Sequence, residues 1–309
     1  MGFVVRLSAA PAAATSDFVP ALVASSDIPI DVPGGRIELR IDRRSDSATP
    51  SDAVLREWVE KAGRAVAAYY GTYPVDAVAI TIRVGGPGRV SGGQTMGEGG
   101  RARIRIFVGS DTTEKDLAGN WQLVHEMVHL AWPSMDEHAW IEEGLATYVE
   151  PLARARANLA PSEDIWKWLV WGLPKGLDGI RGRGIERSDG WDATYWGGAL
   201  YCFLADVEIR QRTDNKKSLD DALRGILKAG GDVRMSWPLM RALKTGDEAV
   251  GVPVLEEMHA KLMNAPVEVD LPGLFKRLGV SGTKEGVVYD DSAPLAAIRR
   301  GITMGGAPR

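Results

Sequence analysis

The stretch His125-Glu126-Met127-Val128-His129, followed downstream by Trp140-Ile141-Glu142-Glu143-Gly144, decides how the chain is read. Residues four apart on an α-helix project from the same side, one turn apart. His125 and His129 can therefore each offer one ring nitrogen to a single ion, at roughly 2.0–2.1 Å for zinc. Glu126 lies about 100° round the helix. It is poorly placed as a third ligand but well placed to reach a water beside the ion. Zinc lowers the pKa of such a water toward about 7, and a neighbouring carboxylate can take its proton and pass it to a leaving amine. Leu123, Val124, Val128 and Leu130 supply apolar positions, so the helix is expected to be substantially buried. Alone, a buried amphipathic helix whose histidines pair with carboxylates would give the same five letters.

The third ligand has two kinds of source. The pattern H-E-x-x-H-x-x-G-x-x-H needs glycine at position 132 and histidine at position 135. The chain has Trp132 and Met135 there. His138 falls too late for that turn and reads as a polar residue at a helix start. The remaining donor is a carboxylate of the second helix. Glu142 and Glu143 point about 100° apart, and spacing alone does not choose between them.

Composition narrows the setting. The chain has 309 residues, 45% of them hydrophobic, enough for a sizeable core and one or two domains. Its net charge of −4 gives no basic field for nucleic acid. Cys202 is the only cysteine, which excludes an intrachain disulfide framework and any cysteine-rich metal site. Two of the four histidines share one pentapeptide. No run of about 18 apolar residues predicts a membrane-spanning helix. Residues 7–14 resemble the small-residue end of a secretory signal, but Arg6 interrupts the short stretch before them. A signal remnant, and with it export or a place in the cell envelope, is set slightly ahead of a cytoplasmic extension.

Along the chain, residues 1–35 read as an extended tail. Arg36–Ile41 alternates as a half-buried strand, and Ser51 caps a helix running to about Tyr70. Val75–Val84 reads as a strand. Gly85–Gly100, with eight glycines, reads as a loop or distorted hairpin. Arg101–Val108 reads as a strand with one wet face, at a sheet edge. Thr112 or Thr113 is expected to open the histidine-bearing helix, which ends near Pro133. A second helix runs from about Asp136 through Glu150, where Pro151 ends or kinks it. Helical stretches follow at roughly 162–172, 193–211, 218–229, 236–244, 252–263 and 271–278, with a short strand at Gly286–Tyr289.

The segment Trp140-Ile141-Glu142-Glu143-Gly144-Leu145-Ala146-Thr147-Tyr148-Val149-Glu150 resembles the W-L-N-E-G-F-A-x-Y-x-E stretch of gluzincin metallopeptidases, including the aminopeptidase N family. The resemblance implies that Glu143 is the third zinc ligand and gives Glu150 an outer role beside the metal. Tyr195-Trp196-Gly197-Gly198-Ala199 resembles the Y-x-K-G-x segment of the same enzymes, which implies Tyr195 as the donor to the oxyanion; Tyr201 is the alternative. The resemblance covers roughly Gly92 to Ala205. It departs from the aminopeptidases in three respects. Only 13 residues separate His129 from Glu143, about five fewer than usual, and Gly197 stands where they have lysine. Their G-A-M-E-N motif has only a loose echo in Gly92–Glu98; Glu98 reads as part of a mobile glycine-rich loop ahead of a contact to a substrate amine.

The resemblance implies an α+β fold: residues 36–158 form a zincin-like catalytic part with a small mixed sheet, its edge strand Arg101–Val108 open to a peptide. A mainly helical part, residues 159–309, completes the cleft. The expected function is a zinc metallopeptidase with one zinc per chain, held by His125, His129 and Glu143, with Glu126 as base. It would act on a peptide or protein substrate. The alternatives are a zinc aminopeptidase proper and a non-catalytic, zinc-stabilised binding or scaffold domain. The crowding of Trp166, Trp168 and Trp171, with Trp191 and Trp196 near Tyr195, reads as a core stripe ahead of an aromatic subsite.

Overall fold

A computed structural model of the chain describes residues 22–24, 27–44, 49–135 and 137–305. The segment read as a signal remnant, residues 7–14, lies outside them. Strands β1 (Leu22–Ala24) and β2 (Ile28–Val32) follow one another along the same side of β3 (Gly35–Arg44), both antiparallel to it. The end of the expected tail is thus a sheet strand, anchored by buried Ile30 and Val32. Helix α1 (Asp52–Tyr70) crosses to β4 (Ala77–Val84), parallel to β3. Strands β5 (Val90–Met96) and β6 (Ala102–Val108) form an antiparallel hairpin, and β6 runs parallel to β4.

Strand alternation explains the sheet's two faces. The parallel register aligns Ile37, Val78 and Ala102 in one row, Leu39, Ile80 and Ile104 in the next, and Ile41, Ile82 and Ile106 in a third. All nine are buried. Arg36, Glu38, Arg40, Arg83 and Arg103 stand on the exposed face. The order β3-β4-β6-β5 corrects the expected edge: β6 is interior, and β5 is the edge strand. Glycines at 92 and 93 supply no side-chain alternation, so β5 reads as a loop or distorted hairpin; the hairpin is what forms, with a register shift between Val90 and Gly92.

Ser51 caps α1 through Val54 N, as its sequence suggested, and Gly71 ends the helix in the left-handed region. Thr113 does cap a helix, α2 (Glu114–Gly119), by a reciprocal bond with Asp116. That helix stops at Asn120, whose backbone is extended, and the histidines lie on a separate helix, α3 (Gln122–His129). Asn120 Oδ1 accepts from Gln122 N and helps restart the chain. Helix α4 (Ala139–Arg156) does not end at Pro151 but continues past it. Burial of Leu152, Ala153 and Ala155 beyond it offsets the one backbone bond that proline removes.

Helices dominate the remainder: α5 (Glu163–Arg181), a π-helical turn at Asp192–Gly197 continuing into α6 (Gly198–Arg212), α7 (Leu219–Lys228), α8 (Leu239–Val250), α9 (Val254–Leu262) and α10 (Leu271–Leu278). A hairpin of β7 (Val280–Thr283) and β8 (Gly286–Tyr289) precedes α11 (Ala296–Met304), which the sequence reading missed. Buried charges here are paired. Asp206 accepts from Tyr148, Arg210 and Leu219 N, and Asp220 accepts from Tyr69 and Arg156, tying α1, α4, α6 and α7 together. No helix among the described residues is long and apolar enough to cross a membrane.

Candidate metal centre

Helix α3 presents His125 and His129 toward the first turns of α4. Glu143 Oε2 lies 3.1 Å from His125 Nε2 and 3.7 Å from His129 Nε2. One donor atom from each of the three side chains falls within 4.8 Å of the others, and among the described residues this is the one such trio. Glu142 is turned elsewhere: its Oε1 accepts from Met135 N at 2.9 Å. Of the two glutamates that spacing left open, Glu143 is the one that faces the histidines.

The electrostatics suit a cation. Burial pushes the Glu143 carboxyl up, but His129, His125 and the Tyr195 hydroxyl outweigh it and hold it below the usual range. Burial lowers the His129 imidazole, despite the pull of Glu143, and so favours the neutral ring that a metal requires. Two imidazoles and one carboxylate within reach of one point form the donor set zinc takes in catalytic sites. The residues present fit that ion. Glu126 is almost fully buried beside them. Burial raises its carboxyl, while His129 and a hydrogen bond from Thr95 oppose the rise.

Tyr195 comes from the π-helical turn. Its hydroxyl lies within reach of Glu143, and its ring stacks over His125 with centroids 6.2 Å apart. Burial, then the Glu143 carboxylate, drives its hydroxyl well above the ordinary value, so it stays a neutral donor. Tyr201 points away: it is buried and donates to Leu255 O at 2.8 Å. Tyr195 reaches the site because α4 meets the start of α6 through two glycines. A Cβ on Gly144 would come 2.3 Å from Gly198 Cα, and one on Gly198 would come 1.9 Å from Trp140 O. The glycine after Glu143 and the second glycine after Tyr195 are the two sides of one backbone contact.

The tryptophans divide. Trp166 and Trp196 are core, whereas Trp191 is 51% exposed and stacks on Tyr195 at 3.9 Å. Trp121, 37% exposed, lies edge-on to His125. Of the other candidates, Glu150 is buried and accepts from Arg154. The side chain of Glu98 lies outside the described residues. His138 sits at the start of α4 and shares the Glu186 carboxylate with His259. Sequence reasoning missed Thr95, which bonds Glu126 from the edge strand.

No family model and no curated protein matches the chain. Solved structures do. An aminopeptidase N family protein from Idiomarina loihiensis matches with a TM-score of 0.56 at 14% identity, over 83% of this chain and 49% of its own. An M1 zinc metallopeptidase from Deinococcus radiodurans matches with a TM-score of 0.51 at 15% identity, over 82% of this chain and 54% of its own. The fold resembles that of these metallopeptidase structures. The expected α+β architecture, a mixed sheet with a helical second half, agrees with this likeness. The chain spans about half the length of the solved structures it matches, and at such identity the likeness carries the fold and not the chemistry.

Proposed function

We propose that the chain is a zinc-dependent metallopeptidase, with zinc held by His125, His129 and Glu143. The observation that carries the reading is the convergence of their three donor atoms within 4.8 Å, with the buried Glu126 alongside. When bound, zinc supplies a Lewis acid that polarises the scissile carbonyl and acidifies water. Glu126 takes a proton from the attacking water and delivers it to the leaving nitrogen. Tyr195 donates its hydroxyl proton in a hydrogen bond to the oxygen on which charge develops. The cleft is shared: residues 36–158 contribute the metal donors and the base, and residues 159–309 contribute Tyr195.

The test is metal analysis paired with a peptide-library digest of the wild type and Glu126→Gln. The wild type is expected to bind one zinc per chain and to cleave peptides. Glu126→Gln should keep the zinc and lose turnover. A chain that purifies metal-free and cannot be reconstituted overturns the reading. Full zinc with no cleavage by the wild type favours a zinc-stabilised binding domain instead.

A further inference from the structure

The Glu126 carboxylate is held from outside its own helix. Thr95 Oγ1 lies 2.7 Å from Glu126 Oε2 and 2.8 Å from the main-chain O of the same residue. A hydroxyl has one proton to donate, so the two acceptors share it. The carbonyl is available because α3 ends there: Leu130 N turns back to Met127 O, and the last carbonyls of a helix lack partners within it. Two positions earlier on the same strand, Gly93 leaves the space the carboxylate fills. A Cβ at Gly93 would meet Glu126 Cγ at 2.5 Å and Oε1 at 2.7 Å. Residues i and i+2 of a strand share a face, and Gly93 and Thr95 stand opposite Ile106 and Ile104 of β6.

We infer that Thr95 is a positioning residue for the base: with Gly93 it builds a seat on β5 that fixes the Glu126 carboxylate, engaging Oε2 and leaving Oε1 to accept the proton. The inference rests on the peptidase reading above. A glutamate has three side-chain torsions, and a bond from a neutral hydroxyl to a charged oxygen is among the stronger hydrogen bonds. Thr95 therefore selects one orientation from several. It acts through Glu126.

The experiment uses the zinc-loaded full chain and compares Thr95→Val, Thr95→Ser and Gly93→Ala with the wild type. On a peptide the wild type cleaves, Thr95→Val should lower kcat by ~10- to 100-fold with KM within about twofold, because a misoriented group costs turnover and not ground-state binding. Thr95→Ser should recover kcat to within about threefold. Gly93→Ala, whose methyl displaces the carboxylate, should resemble Thr95→Val. Zinc content should be unchanged in all three. Acetohydroxamate, which chelates zinc and offers a proton to the base, should bind Thr95→Val about tenfold more weakly and Thr95→Ser as the wild type, since one charge-assisted bond depends on the orientation. Wild-type kcat and acetohydroxamate affinity in Thr95→Val overturn the inference, as does a serine variant as impaired as the valine. If the zinc-loaded wild type cleaves no peptide, the peptidase reading falls, and the acetohydroxamate comparison still decides whether Thr95 seats Glu126.

Discussion

Replacing Gly198 by alanine tests the link between helix packing and the site. The new Cβ would stand 1.9 Å from Trp140 O and 2.7 Å from Gly144 Cα. Ordinary contact begins near 3.4 Å, so relief along the line of the first clash needs 3.4 − 1.9 = 1.5 Å of separation. Both obstacles are backbone, and no side-chain rotation relieves them. The start of α6 must therefore move from α4. Overpacking of this kind costs ~1–3 kcal/mol of stability. The functional effect should be larger, because Gly198 follows Tyr195 by three residues and Gly144 follows Glu143 directly. A displacement of about 1 Å between catalytic groups can cost ~100-fold in rate. The assay is kcat/KM on a cleaved peptide, with zinc content and thermal midpoint measured on the same preparation. Gly182→Ala is the control, since a Cβ there meets nothing within 4 Å. Gly198→Ala with kcat/KM within about twofold of wild type, and an unchanged midpoint, would refute the argument that this contact positions Tyr195.

Two further outcomes are expected. Tyr195→Phe should lower kcat by ~100- to 1000-fold, the usual cost of losing one oxyanion donor, and leave zinc binding intact; activity within threefold of wild type removes Tyr195 from the mechanism. Burial raises the Glu150 carboxyl from 4.5 to about 7, with Arg154 opposing, and its side chain is only 6% exposed. The folded chain then keeps a proton that the unfolded chain releases, so stability should fall as pH rises from 4.5 to 7. The difference of 7 − 4.5 = 2.5 corresponds to about 3 kcal/mol. Urea midpoints at pH 5 and pH 8 should differ in that direction in the wild type and converge in Glu150→Gln; an equal fall in both chains would count against it.

Much of the proposed site could be written from the sequence because metal ligation, on the proposed reading, would impose rigid spacing. His125, His129 and Glu126 follow from one turn of helix, and the glutamate preceding Gly144 was implied by resemblance. What the sequence obscured is instructive. Strand β5 was legible only as a loop or distorted hairpin because its glycines carry no alternation, yet one of them, Gly93, lets it approach Glu126. Thr95 had no motif to mark it, since its role comes from a contact across 31 residues. Of the two threonines offered as the start of the histidine-bearing helix, Thr113 is a cap, but of a separate helix: nothing local announced that Asn120 would end it and a new one begin. Pro151 was read as ending or kinking the helix because propensity is local; α4 does not end there, held by burial on both sides of the proline. The edge was assigned to β6 because its exposed arginines resemble an edge pattern; they belong instead to the wet face of an interior strand.

The short connection between α3 and α4 bears on how the candidate site is held. Only 13 residues separate His129 from Glu143, so the segment has little length with which to stabilise itself. Its backbone is instead bonded to a loop of the helical half. Val233 N donates to Leu130 O at 3.2 Å, and Ser134 N donates to Met235 O at 2.8 Å. The same loop is anchored by Arg234, which bonds Asp232 and also Asp76 at the start of β4. Within the connection, Met135 N is held by Glu142. Of the two neighbouring glutamates, one therefore fixes the path of the connection and the other faces the histidines. The turn that brings α4 back onto α3 is thus stabilised by residues about 100 positions later, as well as by its own sequence. This accounts for how a shortened connection still sets Glu143 Oε2 within 3.7 Å of both imidazoles. It also makes the helical half a structural part of the candidate metal centre on two separate grounds, the clamp on the connection and the placement of Tyr195 beside Glu143.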